Sequence, residues 1–377
     1  MDFELTDEQK DIQKAAKEFA QGEFDPDLAL ELDQSGKFPV SIWKKAAQLG
    51  FVGIHYPEEF GGQGCGLFET LLVIESFCTV DSGIGSALST VDLGSEVILK
   101  FASREQKRQF LLPLARGEKL LSVAFGESED GRDFTAISTT AEKRKDGYSV
   151  HGKKYFVLNA SLADSFITLC KESMEGWITL MIERERKGLE VRPIEKMGLR
   201  MTSFGDLLFE GVLESPGNRI GREGEAMAHV HHCYQAMGLR NAAQALGTSQ
   251  GALDRAIQHA KQREQFGRKL SQFQAIRHKL ADMAVGVEVA RWLTYKSATE
   301  YDQGKSDPGF LSVTQLEVGR RLVAIVDEAL QIFGGYGYMA EEAIEHYFRD
   351  AWAIGVELGT EEEQKDSIAE MILGPHQ

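Results

Sequence analysis

The residues best placed to do chemistry include a glycine-rich stretch near the C-terminus. Gly335-Tyr336-Gly337-Tyr338-Met339-Ala340 has the G-x-G-x-x-A spacing of dinucleotide-binding turns. Such a turn needs a strand before it and a helix after it, whereas residues 326–333 have the apolar spacing of a helix. The sequence therefore argues against a Rossmann site. It still predicts an unhindered turn between two helices, whose backbone N–H groups can approach a phosphate closely.

A second candidate is an arginine at the end of a long helical run. Arg263-Glu264-Gln265-Phe266-Gly267 ends that run at a glycine, so Arg263 belongs either to a simple helix cap or to an anion site. Three histidines, at 229, 231 and 232, cluster early in the same run. Because no carboxylate or thiol stands at ligand spacing, they predict structural or solvated histidines and no metal.

Composition excludes several classes of function. The chain has 377 residues, with 42 Lys and Arg against 58 Asp and Glu, a formal charge of −16. A nucleic-acid binder needs a basic face, so this balance argues against one. No apolar run approaches the ~18 residues of a membrane span, and the first residues lack the pattern of a signal peptide. Four scattered cysteines suggest neither zinc nor disulfides, so we expect a cytoplasmic protein of two or three domains.

Three stretches with different periodicity must position these residues. Residues 1–116 read mostly as helix, 117–228 as β-strands without interleaved helices, and 229–377 as helix again. Long apolar-periodic runs at 229–263, 272–302 and 311–333 predict a helix bundle with short connections. The fold class is therefore mainly α, with a middle antiparallel β-domain between an N-terminal helical domain and a C-terminal bundle.

Several motifs, taken together, resemble the acyl-CoA dehydrogenase family over nearly the whole chain. That family has a helical domain, a β-domain and a C-terminal four-helix bundle, usually as a homotetramer, and the resemblance implies the same arrangement here. The matching stretches are Pro57-Glu58-Glu59-Phe60-Gly61-Gly62, Met197-Gly198-Leu199-Arg200, Ala242-Ala243-Gln244-Ala245-Leu246-Gly247, Arg263-Glu264-Gln265-Phe266-Gly267, Gln331-Ile332-Phe333-Gly334-Gly335-Tyr336-Gly337 and Arg349-Asp350-Ala351.

The resemblance implies FAD between the β-domain and the bundle, and it implies which residues hold it. Those expected at the flavin ring are Val123, Phe125, Gly126, Phe156 and Leu158. Those expected at the pyrophosphate and adenosine, across a subunit interface, are Arg263, Phe266 and Gln274, with Gln331, Gly334 and Gly335 approaching through the backbone. Thr360 and Glu362 complete this cradle, and the residues expected to bind substrate are Arg132, Arg240, Leu358 and Gly359. The implied partners are an acyl-CoA substrate and an electron-transfer flavoprotein.

The sequence departs from the family at the catalytic base. The family's usual Glu aligns with Leu358 in Glu357-Leu358-Gly359-Thr360, and a minority position on the first bundle helix aligns with Met237. The flavin-side Trp-x-Thr reads Phe156-Val157-Leu158. The Leu358 backbone N–H is still expected to hold the thioester oxygen, as in the family.

Two acids can replace the missing base. The first choice is Asp92 in Ser89-Thr90-Val91-Asp92-Leu93-Gly94, whose apolar neighbours favour a buried site and whose burial would strengthen it as a base. The second choice is Glu357, one residue from the usual position. The alternatives are a helix cap or surface ion pair for Asp92 and a structural pair with an arginine for Glu357.

An Asp base at the far end of the acyl pocket resembles the alicyclic dehydrogenases. We therefore expect a cyclic substrate, cyclohex-1-ene-1-carboxyl-CoA, with Leu158 and Leu358 shaping a slot for the ring. The alternatives are cyclohexane-carboxyl-CoA, a flavin monooxygenase on the same fold, and a flavin-binding relic without activity.

Overall fold

The protein folds into two helical regions on either side of a β-domain, which confirms the predicted fold class. The computed structural model describes residues 4–127, 137–172 and 176–374. Among these residues, no helix combines the length and the apolar character needed to cross a bilayer.

The N-terminal region consists of seven helices. The first begins at a capping box, in which the Thr6 hydroxyl accepts from the Gln9 amide at 3.2 Å and the Gln9 side chain accepts from the Thr6 amide. The helices are α1 (Asp7–Glu23), α2 (Pro26–Ser35), α3 (Val40–Gln48), α4 (Leu67–Val80), α5 (Ser82–Ser89), α6 (Ser95–Phe101) and α7 (Arg104–Ala115).

The β-domain is built on one sheet of eight strands. They are β1 (Leu121–Ala124), β2 (Thr140–Arg144), β3 (Gly147–Leu158), β4 (Ser165–Lys171), β5 (Trp177–Glu183), β6 (Leu189–Ile194), β7 (Phe204–Glu214) and β8 (Arg219–Ile220). Their order is β6-β7-β3-β2-β4-β5-β8, with β1 beside β4.

The sheet is largely antiparallel, in line with the prediction, but its pairing is not uniform. Most neighbours are antiparallel, but β1 runs parallel to β4, and β2 touches β4 in parallel at one pair of residues. The parallel pair arises because β1 enters directly from the helical region, where the Leu121 amide donates to the Val91 carbonyl at 2.9 Å. Asp92 and Leu121 form an isolated parallel bridge at this entry.

The described C-terminal region contains three long helices and two shorter ones. They are α8 (Ala226–Gln262), α9 (Gln274–Asp302), α10 (Pro308–Phe333), α11 (Ile344–Glu357) and α12 (Glu361–Leu373). A two-stranded hairpin, β9 (Glu264–Gln265) and β10 (Arg268–Lys269), joins α8 to α9. A 3-10 turn, Gly334–Tyr338, follows α10, so a helix precedes the G-x-G-x-x-A stretch as the periodicity predicts.

Small residues along α8 let α4 pack closely against it. A Cβ atom on Gly247 would lie 2.4 Å from the Glu75 carbonyl oxygen, and one on Gly251 would lie 2.4 Å from that of Thr79. Real Cβ atoms do not approach backbone oxygen this closely, so glycine is required at both positions. The Ala242–Gly247 motif therefore sets the distance between the N-terminal helices and the bundle, where the largest hydrophobic core lies.

Candidate active site

A cavity of about 480 Å³ opens among α8, α10, α12 and the end of α11. Tyr234, Met237 and Asn241 line it from one face of α8, because positions three and four apart share a helix face. Gln315 lines it from α10, and Glu357 lines it from the last residue of α11. Met237 and Glu357, both singled out by sequence, therefore meet at one cavity.

Glu357 is held at this cavity through its backbone and is mostly buried. The Asn241 side-chain amide donates to the Glu357 carbonyl at 3.1 Å. Burial raises the pKa of the Glu357 carboxyl to about 7, although the positive charge of Lys196 acts in the opposite direction. A carboxyl group with a pKa near the working pH is suited to acid–base chemistry.

The β-domain contacts α8 beside the cavity. The rings of Phe125 and Tyr234 lie 6.1 Å apart between centroids, so the end of β1 reaches the cavity-lining face of α8. The Tyr155 amide donates to the Gly126 carbonyl at 3.1 Å, which brings the two stretches predicted at the flavin ring together. Phe156, next in the chain, is 52 % exposed and has a φ of 53°, an uncommon value for a side chain of this size.

The other predicted flavin-side residues have different surroundings. Val123 and Leu158 are partly buried on β1 and β3, and the Ser122 hydroxyl joins these strands by donating to the Leu158 carbonyl at 2.5 Å. Arg132, predicted to bind substrate, lies outside the described residues.

The residues predicted to hold the far end of FAD come together at one end of the bundle. The Arg263 guanidinium lies 4.9 Å from the centre of the Tyr336 ring, and the His259 ring stacks on Phe333 at 4.1 Å. These contacts join the end of α8, where the hairpin leads to Gln274, to the turn that follows Gln331. Phe266 extends from this end and is 92 % exposed.

This end of the bundle fits an extended anionic ligand that carries an aromatic ring. Nothing lies within 4 Å of a Cβ built on Gly334 or Gly335, so their backbone is open to approach. Gly334 has φ 60° and ψ −135°, a conformation nearly restricted to glycine. An arginine, exposed aromatic rings and a glycine backbone that a ligand can approach closely match a pyrophosphate and an adenosine.

Thr360 and Glu362 lie at a different level of the bundle. The Thr360 hydroxyl caps α12 by accepting from the Glu363 amide at 3.2 Å. Arg320 of α10 pairs with Glu361 beside them, whereas Gln331 stands about three turns further along α10, roughly 16 Å away. Glu362 is exposed at the start of α12. One copy of the chain therefore does not bring both predicted halves of the cradle together.

The backbone at Leu358 differs from the expectation of a free oxyanion donor. Its amide donates to the Ile354 carbonyl at 3.1 Å, and the Gly359 amide donates to the Val356 carbonyl at 3.1 Å. Both N–H groups thus complete the last turn of α11. The Leu358 side chain is 2 % exposed and packs in the bundle core against Gly319. Leu358 lines a second cavity, of about 670 Å³, together with Gly359 and Thr360, and it is not among the described residues that line the cavity containing Glu357.

Asp92 lies in a buried cluster of charges behind α8. Its carboxylate accepts from the Tyr56 hydroxyl at 2.7 Å and from Arg240 at 3.0 Å. Burial alone would raise the pKa of Asp92, but Arg240, His55 and the hydrogen bond from Tyr56 outweigh that effect and hold it below its usual value. Asp92 is thus a buried, ionised carboxylate in an ion pair, and such a carboxylate is a weak base.

Arg240, predicted to bind substrate, is occupied by protein groups. Its guanidinium donates to Asp92, to Glu96 at 2.9 Å and to the Ser89 carbonyl at 3.2 Å, and the residue is 1 % exposed. The guanidinium is directed at these carboxylates, and Arg240 is not among the described residues that line the cavity.

Sequence reasoning missed two groups that act on the acid candidates. Tyr56 directly precedes the Pro57–Gly62 motif and donates to Asp92. Lys196 directly precedes the Met197–Arg200 motif and is the cation that acts on Glu357. Their positions next to the matched motifs could have pointed to both residues. Their effects on Asp92 and Glu357 could not have been predicted, because those acids are far away in the sequence.

Comparisons with known proteins cover the whole chain. Three family models match in order: the N-terminal domain of acyl-CoA dehydrogenase at residues 6–118, its middle domain at 122–212 and its C-terminal domain at 234–373. A short-chain-specific acyl-CoA dehydrogenase of Clostridium acetobutylicum is 34 % identical, with 97 % of this chain and 98 % of that protein covered. The CarC subunit of the caffeyl-CoA reductase–Etf complex of Acetobacterium woodii is 32 % identical, with 98 % and 99 % covered.

A solved structure agrees with these sequence matches. Butyryl-CoA dehydrogenase of Megasphaera elsdenii superimposes with a TM-score of 0.94 and 32 % identity, with 99 % of this chain and 100 % of that chain covered. Dehydrogenation of acyl-CoA thioesters with FAD characterises this family, and the cavity and the open glycine turn fit that chemistry. The chain belongs to the acyl-CoA dehydrogenase family of FAD-dependent oxidoreductases.

Proposed function

We propose that this chain oxidises the Cα–Cβ bond of an acyl-CoA thioester with Glu357 as the catalytic base. The observation that carries the proposal is the position of Glu357 at the cavity shared with Met237. The two family base positions align with Leu358 and Met237; Glu357 directly precedes Leu358 and lines the same cavity as Met237, which supports the proposal. Phe125, from the stretch predicted at the flavin ring, approaches the same cavity through Tyr234.

The chain's own groups would carry out the proton step. The Glu357 carboxylate takes the proton from the carbon next to the thioester, and Asn241 fixes the backbone that carries this carboxylate. FAD, when bound, accepts the hydrogen of the neighbouring carbon with its electron pair. The substrate thereby gains a C=C bond and loses two hydrogens, one to Glu357 as a proton and one to FAD as a hydride.

The environment of Glu357 suits this step. A pKa of about 7 leaves a large fraction ionised at neutral pH, and a carboxylate that burial makes basic draws a proton better than an exposed one. The rest of the cavity supplies both apolar contacts, from Met237 and Leu311, and polar groups, from Gln315. Such a lining is typical of sites for small organic groups.

The test is bleaching of the flavin by acyl-CoA esters in rapid mixing. We expect Glu357→Gln to retain FAD and to lose at least ~10²-fold in the rate of bleaching, the upper part of what one general base contributes. Glu370→Gln, on the exposed face of α12, is the matched control and should bleach at the wild-type rate. A Glu357→Gln enzyme that bleaches normally would show that the base lies elsewhere.

A second candidate keeps Asp92 as the base and a cyclic acyl group as the substrate. Its support is that Asp92 is 3 % exposed and pairs with Leu121 at the start of β1, the strand that leads to Val123 and Phe125. Its weakness is the ion pair with Arg240, which stabilises the carboxylate against protonation. The Glu357 proposal does not require a ring in the substrate.

A substrate screen separates the two candidates. Straight, branched and cyclic acyl-CoA esters, including cyclohex-1-ene-1-carboxyl-CoA, are mixed with wild type, Glu357→Gln and Asp92→Asn. Bleaching by the cyclic ester that survives in Glu357→Gln and is lost in a folded, FAD-loaded Asp92→Asn would establish Asp92. The reverse pattern would establish Glu357.

We also propose that the binding site for FAD is completed by residues of a second copy of the chain, in a homotetramer. This proposal is supported by the distance along the bundle between Thr360, at the start of α12, and residues 331–335, at and just after the end of α10. The proposed electron acceptor is an electron-transfer flavoprotein, because a relative similar over the whole chain is named as a subunit of a complex with Etf. Reoxidation of the bleached enzyme by such a flavoprotein tests this acceptor.

A further inference from the structure

Two polar side chains of α10, Ser312 and Gln315, line the cavity that contains Glu357. They stand three residues apart, so they share one face of the helix, and they are 7 % and 8 % exposed. Within the described parts of the chain, neither side chain forms a hydrogen bond. Because buried polar groups are normally hydrogen-bonded, this pair indicates a place where a polar group of a ligand binds.

The amide end of Gln315 lies against α8 where that helix borders the cavity. A Cβ atom built on Gly238 would lie 2.6 Å from the Gln315 Nε2 and 3.5 Å from its Oε1. Gly238 lines the cavity that contains Glu357, so the amide lies at the cavity wall and fits there because residue 238 has no side chain. Gln315 also lines the second cavity, but Gly238 is not among the described residues of that lining. The amide nitrogen therefore belongs to the cavity that contains Glu357.

Contacts on two sides place Gln315 beside the end of α11 that carries Glu357. On α8, Asn241 is three residues from Gly238, and its side chain donates to the Glu357 carbonyl at 3.1 Å. On α10, Gly319 is one turn from Gln315, and a Cβ on it would lie 3.2 Å from the side chain of the residue after Glu357. Neighbouring turns of the same helices thus hold the unpartnered amide and the proposed base around one cavity.

The proposed reaction places negative charge on the thioester oxygen. When Glu357 takes the proton from Cα, the electron pair of that C–H bond moves towards the carbonyl oxygen, and it forms the C=C bond when Cβ gives its hydride to FAD. The carbonyl carbon is bonded directly to Cα, so a donor to its oxygen has to line the same cavity as the base. The Leu358 and Gly359 amides already donate to carbonyl groups of α11, which leaves this role to another group.

We propose that Gln315 and Ser312 donate hydrogen bonds to the thioester carbonyl oxygen and stabilise the negative charge that develops on it. This inference rests on the proposed function, because it concerns the same reaction at the same cavity. A side-chain amide and a hydroxyl are both donors, and donors that are in place before the reaction stabilise developing charge most where water is excluded. Gln315 is thus a catalytic residue, and Ser312 supplies the second donor.

The first test follows the carbonyl group of a bound thioester without turnover. Crotonyl-CoA labelled with ¹³C at the carbonyl is bound to the FAD-loaded enzyme, and its carbonyl band is recorded by isotope-edited infrared spectroscopy. In wild type, hydrogen bonds to the oxygen should lower the band frequency relative to the free thioester. In Gln315→Met, which keeps the length of the side chain without a donor, the band should return towards the free value. Gln48→Met, at an exposed site on α3, is the matched control and should keep the wild-type band.

The second test is the rate of flavin bleaching by butyryl-CoA in rapid mixing. Gln315→Met should retain FAD and lose about 10²-fold in rate, the usual result of removing one such donor. Ser312→Ala is the milder change and should show the same loss of rate and the same movement of the carbonyl band to a smaller extent. It takes the place of Gln315→Met if that variant does not fold.

The two measurements separate this inference from the function beneath it. If Gln315→Met and Ser312→Ala both bind crotonyl-CoA and keep the wild-type carbonyl band, the inference is wrong, while loss of bleaching in Glu357→Gln still supports the proposed base. A loss of rate in Gln315→Met without a change in the band would show a structural role and would also contradict the inference. If Gln315→Met moves the band but Glu357→Gln bleaches normally, the carbonyl site is right and the proposed base is wrong.

Discussion

The side chain of Asn241 and the backbone of Glu357 form a hydrogen bond of 3.1 Å between α8 and the end of α11. Asn241 is one turn from Met237, the position of the alternative family base. One face of α8 therefore carries both Met237, at a position where relatives have a base, and Asn241, which binds the backbone of the proposed base Glu357. This contact leads to the first of four predictions.

Asn241→Leu should reduce activity more than stability. The lost hydrogen bond costs about 1 kcal/mol of unfolding free energy, whereas the freed end of α11 lets Glu357 move from its place at the cavity. We expect the bleaching rate to fall about tenfold or more, since small displacements of a catalytic group are costly. Urea unfolding and rapid-mixing kinetics on the same preparation measure the two effects, and equal losses would contradict a positioning role.

Ionisation of Glu357 should lower the stability of the folded protein at the pH where Glu357 would serve as a base. Its folded pKa, about 7, lies above its ordinary value of 4.5, so the folded protein binds this proton more tightly than the unfolded chain. Its contribution to stability is therefore largest at low pH and declines as pH rises from about 4.5 through 7. Glu357→Gln should thus raise Tm at pH 8 and have little effect at pH 5. A Tm difference that does not change with pH would contradict the shift.

Arg240→Met should strongly destabilise the fold. It leaves Asp92 and Glu96 buried and close together without their shared cation, and removing one partner of a buried ion pair typically costs about 3–5 kcal/mol. The double variant Arg240→Met/Asp92→Asn should recover part of that loss, because one uncompensated charge is gone. Urea unfolding curves of the three proteins form the comparison. A mild effect of Arg240→Met would mean that water reaches this cluster.

Phe266→Ala should weaken FAD retention and leave the folded chain intact. Phe266 is 92 % exposed, so its truncation removes little core packing, whereas an exposed ring suits stacking on an adenine. We expect loss of FAD during gel filtration with an unchanged Tm of the apoprotein. Leu213→Ala, at an exposed site on β7, is a control for loss of a surface hydrophobic side chain, and it should retain FAD.

The positions of the long helices were predicted well from the local sequence. The runs predicted at 272–302 and 311–333 correspond to α9 and α10, since apolar spacing depends only on nearby residues. The start of α10 was placed late because Asp307 caps the helix and Pro308 occupies its first turn, a signal that periodicity alone does not use. The parallel pairing of β1 with β4 was not predicted, because the spacing of nearby residues carries no information about which distant strands pair.

The site was predictable only as far as motif alignment extends. Alignment pointed to Asp92 and Glu357, but their environments depend on partners far away in sequence. Arg240 neutralises Asp92 through a contact across helices, and Lys196 influences Glu357 from another domain. The amide of Leu358 illustrates the same limit, because whether it is free depends on how α11 ends.

Arg349 connects all three regions of the molecule. Its guanidinium binds Asp33 of the N-terminal helices at 2.7 Å and the Met197 carbonyl of the β-domain at 3.2 Å, and it belongs to the bundle. Independent rotation of any one region would strain this junction. Under the proposed function, acyl groups of different bulk would be accommodated by rotamer changes of flexible side chains such as Met237, and the breadth of substrates should depend on that local plasticity.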